Sequence, residues 1–402
     1  MECFEYQVPT RIIFGRDTEK ETGAAVKEAG GNKVLVLYGG QSAVKSGVLA
    51  RVEASLQEAG LPYVVKGGVK PNPRLSFTRE VISLIRAEQV DFIVAVGGGS
   101  IVDCGKAAAL GACYDGDVWD FFDKKAIPVK NLPIGVVLTI PAAGSETSRS
   151  MVITNDEYAG GWLKRGLLNQ KSRPVFAIMN PELTYTLPPY QTACGIVDIM
   201  MHTIERYFGP QNDTELTDHL AEALLHTMIA NGPIVLADPN NYAARSEIMW
   251  AGSLSHNDLT GLGRTMDFAT HQLEHELSGL YDVAHGAGLA AIWGAWARYV
   301  MPGAVWRFVK YAVNVWGCEA NYLEPEKTAL AGIEKTEAFF ASLGMPTTLR
   351  QLLREAGKPD LSQEQIEDLA EKCTFFGGRK IGTLHPMGKD EIIKIYQLAM
   401  TL

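Results

Sequence analysis

Histidine is absent from this 402-residue chain before His202, and all eight histidines lie beyond residue 200. Any imidazole chemistry must therefore come from the C-terminal half. The six cysteines, Cys3, Cys104, Cys113, Cys194, Cys318 and Cys373, are far apart and form no C-x-x-C pair. That excludes a zinc knuckle and a thioredoxin-type motif. Scattered thiols fit a reducing cytoplasm, with most of them acting as small buried hydrophobes. There is no basic excess: 37 Lys plus Arg face 46 Asp plus Glu, a net charge of −9. This argues against nucleic acid as a partner. No apolar run is long enough for a membrane span, which needs about 18 residues. The nearest, AGLAAIWGAWA at 287–297, is bounded by His285 and Arg298 and reads as a buried core helix. The start, MECFEYQVPT, has two acids and no apolar h-region, so no secretory signal is visible. A cytoplasmic protein with no membrane partner is expected. Low-complexity tracts and tandem repeats are missing as well, which excludes wholesale disorder.

What is present is a chain long enough for two domains, 47% hydrophobic, needing neither disulfide nor metal merely to stay folded. The first half alternates short β-branched runs with amphipathic segments. Lys33–Tyr38, Pro62–Lys66, Asp91–Val96, Ile134–Thr139 and Val175–Met179 read as buried strands. Ala43–Glu58 places Val44, Val48, Val52 and Leu56 on one helical face, and Arg74–Glu88 does the same with Phe77, Val81, Leu84 and Ile85. This alternation predicts a mainly parallel sheet covered by helices. After Asn180-Pro181 the texture becomes long amphipathic helices. The expected division is an α/β dinucleotide-binding domain over 1–183 and an all-helical metal-binding domain over 184–402.

Gly97-Gly98-Gly99-Ser100 follows a strand and opens a helix. Glycines there admit close approach of a ligand, and the free N–H groups of the helix start face an anion. The run is neither G-x-G-x-x-G, since Val102 holds the third glycine position, nor a P-loop, since no Gly-Lys-Ser/Thr follows. A second turn, Gly39-Gly40-Gln41-Ser42, ends the first clear strand, with Ser42 as the expected helix cap. An acid here would hold the ribose hydroxyls of NAD and repel a 2′-phosphate; none is present, and Lys45 lies a turn onward. The pattern favours NADP(H), with NAD as the other candidate.

Asp198 and His202 are spaced i, i+4, as are His271 and His275, and His285 follows in DVAHGAG. Each pair projects from one helix face. Taken singly, each histidine reads better as a core or surface residue than as a ligand. Two such pairs and His285 together suit a first-row divalent metal. HQLEH is not a zinc-protease helix, because Gln272 stands where H-E-x-x-H needs Glu. His219, His226 and His256 have no such companions and read as structural or surface residues; His385, beside Pro386, has no assignable role.

GGGSIVD, TIPAAGSE at 139–146, TYTLPPYQTACGIVDIMMHTIERYF, HQLEHELSG and DVAHGAGLA together resemble the iron-containing (group III) alcohol dehydrogenases over nearly the whole chain. Within that family the sequence looks most like the NADPH-dependent butanol dehydrogenase and broad aldehyde reductase branch. The resemblance implies the dehydroquinate-synthase-like fold, a Rossmann-like α/β domain followed by an all-α domain. It implies a metal held by Asp198, His202, His271 and His285, with Fe(II) the first choice and Zn(II) the second. His275 resembles the residue beside the nicotinamide, with a catalytic, proton-relaying role. Gly97, Gly98, Gly99 and Ser100 match the pyrophosphate loop, Asp103 an acid at the cofactor, and Gly39, Gly40, Gln41 and Ser42 the adenosine-ribose end. Asn72, Thr139, Lys164, Leu183 and Leu187 complete the cofactor set. Two departures stand out: Gln41 where the branch often has a third glycine, and Ile196-Val197 before the first ligand. The implied enzyme transfers hydride between NADP(H) and a small alcohol or aldehyde in the cleft between domains, as a homodimer. The competing readings are a same-fold lyase or cyclase that uses NAD transiently, a glycerol-type dehydrogenase, and a catalytically silent metal-binding protein. The neighbourhoods IMM, QLE and DVA lack the basic residues that a phosphorylated, carboxylated lyase substrate would need.

Overall fold

The computed structural model describes residues 1–402. Strands β1 (Arg11–Phe14), β2 (Val34–Tyr38), β3 (Tyr63–Lys66), β4 (Phe92–Gly97), β5 (Ile134–Leu138) and β8 (Phe176–Met179) form one six-stranded parallel sheet in the order β1-β8-β5-β4-β2-β3. β4, β5 and β8 are buried along their whole length. Helices on both faces remove the need for polar alternation, so these strands read as continuous apolar runs. All five expected strands are in this sheet. Edge strand β1, RIIF, is too short and too exposed to announce itself. A separate antiparallel pair, β6 (Ser150–Asn155) with β7 (Leu163–Leu168), was also not expected, because Lys164 and Arg165 break its apolar pattern.

The expected 43–58 helix is two helices, Gln41–Lys45 and Val48–Glu58. Gly47 separates them at φ +73, a left-handed conformation that glycine adopts without a Cβ penalty. Val44, expected on the buried face, is 45% exposed as a result, while Val48, Val52 and Leu56 are buried. The helix cap is Gly40, with no side-chain hydrogen bond, in place of the expected Ser42. The Leu75–Ala87 helix buries Val81 and Ile85 as anticipated.

Two compact units result: Gln7–Leu187 with Pro239–Asn257, and Met1–Tyr6 with Pro188–Asp238 and Asp258–Leu402. The Tyr242–His256 helix thus belongs to the α/β unit, although it lies well beyond residue 183. Gly144 admits it: a Cβ there would stand 2.7 Å from the Gly252 carbonyl oxygen. Thr147 Oγ1 donates to the Ser253 carbonyl at 3.0 Å, and Ser253 Oγ donates to Glu146. Cys104, Cys194 and Cys373 are buried, but Cys3 and Cys113 are exposed and Cys318 is half-buried, so burial describes only some of the thiols.

The helical unit opens at Pro188-Pro189, where proline suits the first turn of the Pro189–Tyr207 helix. Its apolar 287–297 stretch lies within the buried His285–Val300 helix, with Trp293 and Trp296 fully enclosed. The Glu215–Ala237 helix is long and apolar enough to cross a membrane by length and composition, at a mean hydropathy of 1.4. Its Asp218 is wholly buried between Arg264 and Arg307. Arg307 donates to Asp218 Oδ1 at 2.6 Å and Oδ2 at 2.8 Å, and Lys310 donates to Oδ2 at 2.5 Å. Burial alone would raise this carboxyl; Arg307, Lys310 and Arg264 outweigh it and hold the pKa at about 2, below the ordinary 3.8. The stability it contributes is therefore fully present above pH 3.8 and is lost as pH falls toward 2. Asp218→Asn strands two buried guanidinium groups and should cost about 3–5 kcal/mol in urea denaturation. A loss below about 1 kcal/mol, the value of an exposed pair, would show that the network is not structural.

Candidate functional site

In the α/β unit, β2 and β4 are parallel neighbours with Tyr38 opposite Val96. The chain runs from β2 outward to β3, then returns across β2 to β4 and on toward β5. The order of strands thus reverses between β2 and β4, where a parallel sheet leaves a crevice at its carboxyl edge. Gly39–Ser42 leave β2 and Gly97–Ser100 leave β4 at this point. Thr139 follows β5, and its N–H donates to the Gly97 carbonyl at 3.1 Å. Leu183 and Leu187 follow β8, so they share the same edge. Asn72, at φ +51, sits in the loop after β3, whose Gly68 N–H donates to the Gly39 carbonyl at 2.9 Å. Lys164 is buried on β7.

The Gly99–Ala112 helix begins here, with Gly98 as its cap, no side-chain capping bond and no acid in its first turn. Its leading N–H groups and positive dipole end are thus available to an anion. A Cβ on Gly98 would stand 2.0 Å from Ile140 Cγ2, so glycine is what lets the loops after β4 and β5 close together.

Asp103, expected from sequence as an acid at the cofactor, is 9% exposed and makes contacts within the protein. Its Oδ1 accepts from Ser145 Oγ at 2.6 Å and its Oδ2 from the Val152 N–H at 2.9 Å. It braces the glycine-loop helix against the 145–152 segment. Lys106, fully buried one turn on, donates to Ser145 Oγ at 2.9 Å and to the Ser148 and Ser150 carbonyls at 2.8 Å each. Sequence reading missed this lysine, because a lone Lys on an alanine-rich helix gives no sign that it is buried.

In the helical unit, the Pro189–Tyr207 helix carries Asp198 and His202, the Ala269–Tyr281 helix His271 and His275, and the His285–Val300 helix begins at His285. Asp282, at φ +55, makes the tight reversal that brings His285 back. Asp198 Oδ1 lies 3.3 Å from His202 Nδ1, 3.6 Å from His271 Nε2 and 3.7 Å from His285 Nε2. Four ligands disposed tetrahedrally about an ion at ~2.1 Å stand about 3.4 Å apart. The three distances from Asp198 are close to that value; Asp198, His202 and His271 present ligand atoms within 4.8 Å of one another, as do Glu274, His275 and His285. Asp198 Oδ1 and His271 Nε2 are also buried without a hydrogen-bond partner. Buried polar atoms are ordinarily satisfied, so the convergence of these two suits them to holding a cation. The centre is shut off at Asp198 and His202 but reaches the surface at His285, whose side chain is 26% exposed. His275 stands beside that opening, half-buried, with its ring centroid 5.6 Å from that of His285.

Burial by itself would lower the His271 imidazole, yet the Glu205 and Asp198 carboxylates lift it to about 9. Glu205 accepts from His271 Nδ1, and Glu274 accepts from His285 Nδ1. Sequence reading passed over both acids. The available signal was H-x-x-E, present at 202–205 and 271–274 but also at 219–222, so it does not single these two acids out. The other histidines are peripheral: His219 pairs with Glu222, His226 Nε2 meets the Asn314 carbonyl, and His385 stacks edge-on with Tyr299.

Two family models match the chain: iron-containing alcohol dehydrogenase over residues 9–181, and the C-terminal part of the Fe-containing alcohol dehydrogenase family over residues 192–400. The chain belongs to the iron-containing alcohol dehydrogenase family. Its relatives include NADH-dependent butanol dehydrogenase A of Clostridium acetobutylicum, 36% identical over 398 residues, which are 99% of each chain. NADPH-dependent aldehyde reductase YqhD of Escherichia coli is 34% identical over 402 residues, covering 99% of this chain and 100% of the relative. The crystal structure of a Thermotoga maritima NADH-dependent butanol dehydrogenase A superposes with a TM-score of 0.93 at 36% identity, covering 100% of this chain and 99% of its own. The fold is therefore the dehydroquinate-synthase-like fold of this family, and the protein is an NAD(P)-dependent oxidoreductase of the alcohol dehydrogenase and aldehyde reductase class.

Burial pushes the Lys106 ammonium down to about 8 from its ordinary 10.5. Between pH 8 and 10.5 the unfolded chain binds more protons at this group than the native one, so its effect on stability becomes more favourable as pH rises. Lys106→Met removes that increment. The stability of the natural chain relative to the variant, measured by urea denaturation at several pH values, should increase from neutral pH into this range. A constant or falling difference would refute the assignment.

Proposed function

We propose that the protein interconverts small primary alcohols and aldehydes with NADP(H), using a divalent metal held by Asp198, His202, His271 and His285. The observation that carries this reading is the meeting of one carboxylate oxygen and three imidazole nitrogens within 3.3–3.7 Å of that oxygen. When bound, the ion supplies Lewis acidity to the substrate oxygen and the dinucleotide supplies or receives the hydride. An N₃O set accepts Fe(II) or Zn(II), and family membership favours iron.

The protein's own part is binding, orientation and proton handling. Gly97, Gly98, Gly99 and Ser100 bind the pyrophosphate through backbone N–H groups. Gly39, Gly40, Gln41 and Ser42 accept the 2′-phosphate by leaving room and adding no negative charge, with Lys45 nearby. Asn72, Thr139, Lys164, Leu183 and Leu187 line the remainder of the dinucleotide. His275, at the accessible side, passes a proton between the substrate oxygen and solvent through its imidazole nitrogens. The working form is a homodimer, and the substrate oxygen is positioned between His275 and the metal ligands.

Metal analysis of the natively purified protein, joined to NADPH and NADH rates on an aldehyde panel that includes butanal, tests this reading. His271→Ala should lose bound metal and turnover together; a metal-free variant turning over at the natural rate would refute it. Gln41→Asp places a carboxylate where the 2′-phosphate is proposed to sit, and like-charge juxtaposition costs several kcal/mol. It should lower kcat/KM for NADPH at least about tenfold while sparing NADH. Equal losses with both cofactors would remove Gln41 from the cofactor-selecting turn.

A further inference from the structure

The buried acids Glu205 and Glu274 each reach away from their own helix, unlike Glu222 of the third H-x-x-E pair, which meets His219 on its own helix. Glu205 rides on the 189–207 helix beside His202, yet its Oε2 accepts from Nδ1 of His271 on the 269–281 helix. Its Oε1 accepts from the His271 backbone N–H at 3.1 Å, so both carboxylate oxygens grip one residue. Glu274 rides beside His275, yet its Oε2 accepts from Nδ1 of His285 on the 285–300 helix, while its Oε1 accepts from Ser278 Oγ. Both side chains are 0% exposed.

A carboxylate can only accept, so each of these Nδ1 atoms must carry its proton toward the acid. Nε2 is then the ring atom left to face Asp198, as it does at 3.6 Å in His271 and 3.7 Å in His285. The arrangement is a chain: the first helix orients the imidazole of the second, and the second orients that of the third. The fold also makes room for it. A Cβ at Gly288, one turn after His285, would stand 2.8 Å from Glu274 Cγ and 2.9 Å from its Oε1. Burying two carboxylates is costly unless they are well partnered. Here the partners are ring N–H groups of residues that meet at one point.

We infer that Glu205 and Glu274 are positioning residues of the metal centre, fixing which nitrogen and which ring orientation His271 and His285 present. This rests on the reading of Asp198, His202, His271 and His285 as a metal site. Outer partners of this kind change metal affinity by about 10- to 100-fold.

The test is cobalt(II) binding to the chelator-treated full-length chain, read as a dissociation constant by chelator competition and as the visible ligand-field spectrum. Glu205→Gln and Glu274→Gln keep shape and an acceptor oxygen but lose the charge, and should weaken cobalt binding about 10-fold with an altered spectrum. Glu205→Leu and Glu274→Leu lose the acceptor too and should approach 100-fold, so the graded rescue by Gln separates positioning from packing. Gly288→Ala crowds Glu274 and should weaken binding in the folded chain, with the melting temperature recorded to show that it remains folded. If His271→Ala abolishes cobalt binding while the Glu and Gly288 variants bind with the natural constant and spectrum, the inference fails and the metal reading survives. If His271→Ala binds cobalt as the natural chain does, or if the natural chain binds none, the metal reading fails and takes the inference with it. Should the Glu variants fail to fold, Gly288→Ala decides for Glu274: the natural constant there overturns the inference.

Discussion

The helical unit is organised around the negative charge it buries. Asp198 Oδ1 lies within 3.7 Å of three imidazole nitrogens, and the Glu205 and Glu274 side chains behind two of those rings are 0% exposed. Carboxylates taken out of water need positive charge or well-placed donors. Arg206, the buried guanidinium one residue after Glu205, donates to the His202 carbonyl at 2.7 Å and lies over the Phe268 ring. The rise of His271 to about 9 has the same origin: the pocket draws a positive charge to Nε2, whether a proton or a metal ion. Asp267, which caps the Ala269–Tyr281 helix and accepts from the Thr383 and Leu384 N–H groups, responds in kind. Burial, with Glu205 adding to it, pushes its carboxyl up to about 6.

The strands and main helices were largely legible, and the structure brings the side chains of Asp198, His202, His271 and His285 together. Strands β2, β4, β5 and β8 are buried on both faces, so their apolar runs announced them. Asp198 and His202 declared themselves by i, i+4 spacing, because that spacing fixes a shared helix face whatever the tertiary structure. The features that stayed hidden depend on long-range contacts. Nothing in the composition of Tyr242–His256 says that this helix joins the α/β unit; Gly144, a hundred residues earlier, makes the space. Asp103 was expected at the cofactor from its place after the glycine loop; its oxygens also accept from Ser145 and Val152, contacts that spacing along the chain does not reveal. Glu205 and Glu274 were overlooked because their partners lie on the next helix, and spacing along one helix is silent about such pairs.

The Lys106 cluster and the Asp218 network show two ways of burying charge for structure alone. Asp218 is surrounded by Arg264, Arg307 and Lys310 and stays ionised to about pH 2. Lys106 has no carboxylate in direct contact. Its charge is spread over two carbonyls and a serine hydroxyl that passes the bond on to Asp103, and its pKa falls to about 8. The first arrangement locks helices of one unit together. The second ties the glycine-loop helix to the segment after β5, so the rigidity of the loop rests on a group well behind it.

On the proposed reading, the lack of histidine before His202 follows from how each unit would recognise its ligand. A pyrophosphate carries permanent negative charge, and the start of the Gly99–Ala112 helix would answer it with amide N–H groups that do not titrate. Such a site needs close backbone approach, which Gly98 allows beside Ile140, and an ionisable side chain would only obstruct it. A divalent metal asks for lone pairs in a fixed geometry, which backbone N–H groups cannot offer. Imidazole can, provided its second nitrogen is committed elsewhere, and Glu205 and Glu274 make that commitment for His271 and His285. The proposed division of anion recognition and cation recognition between two units with opposite chemical requirements thus accounts for the asymmetry in composition.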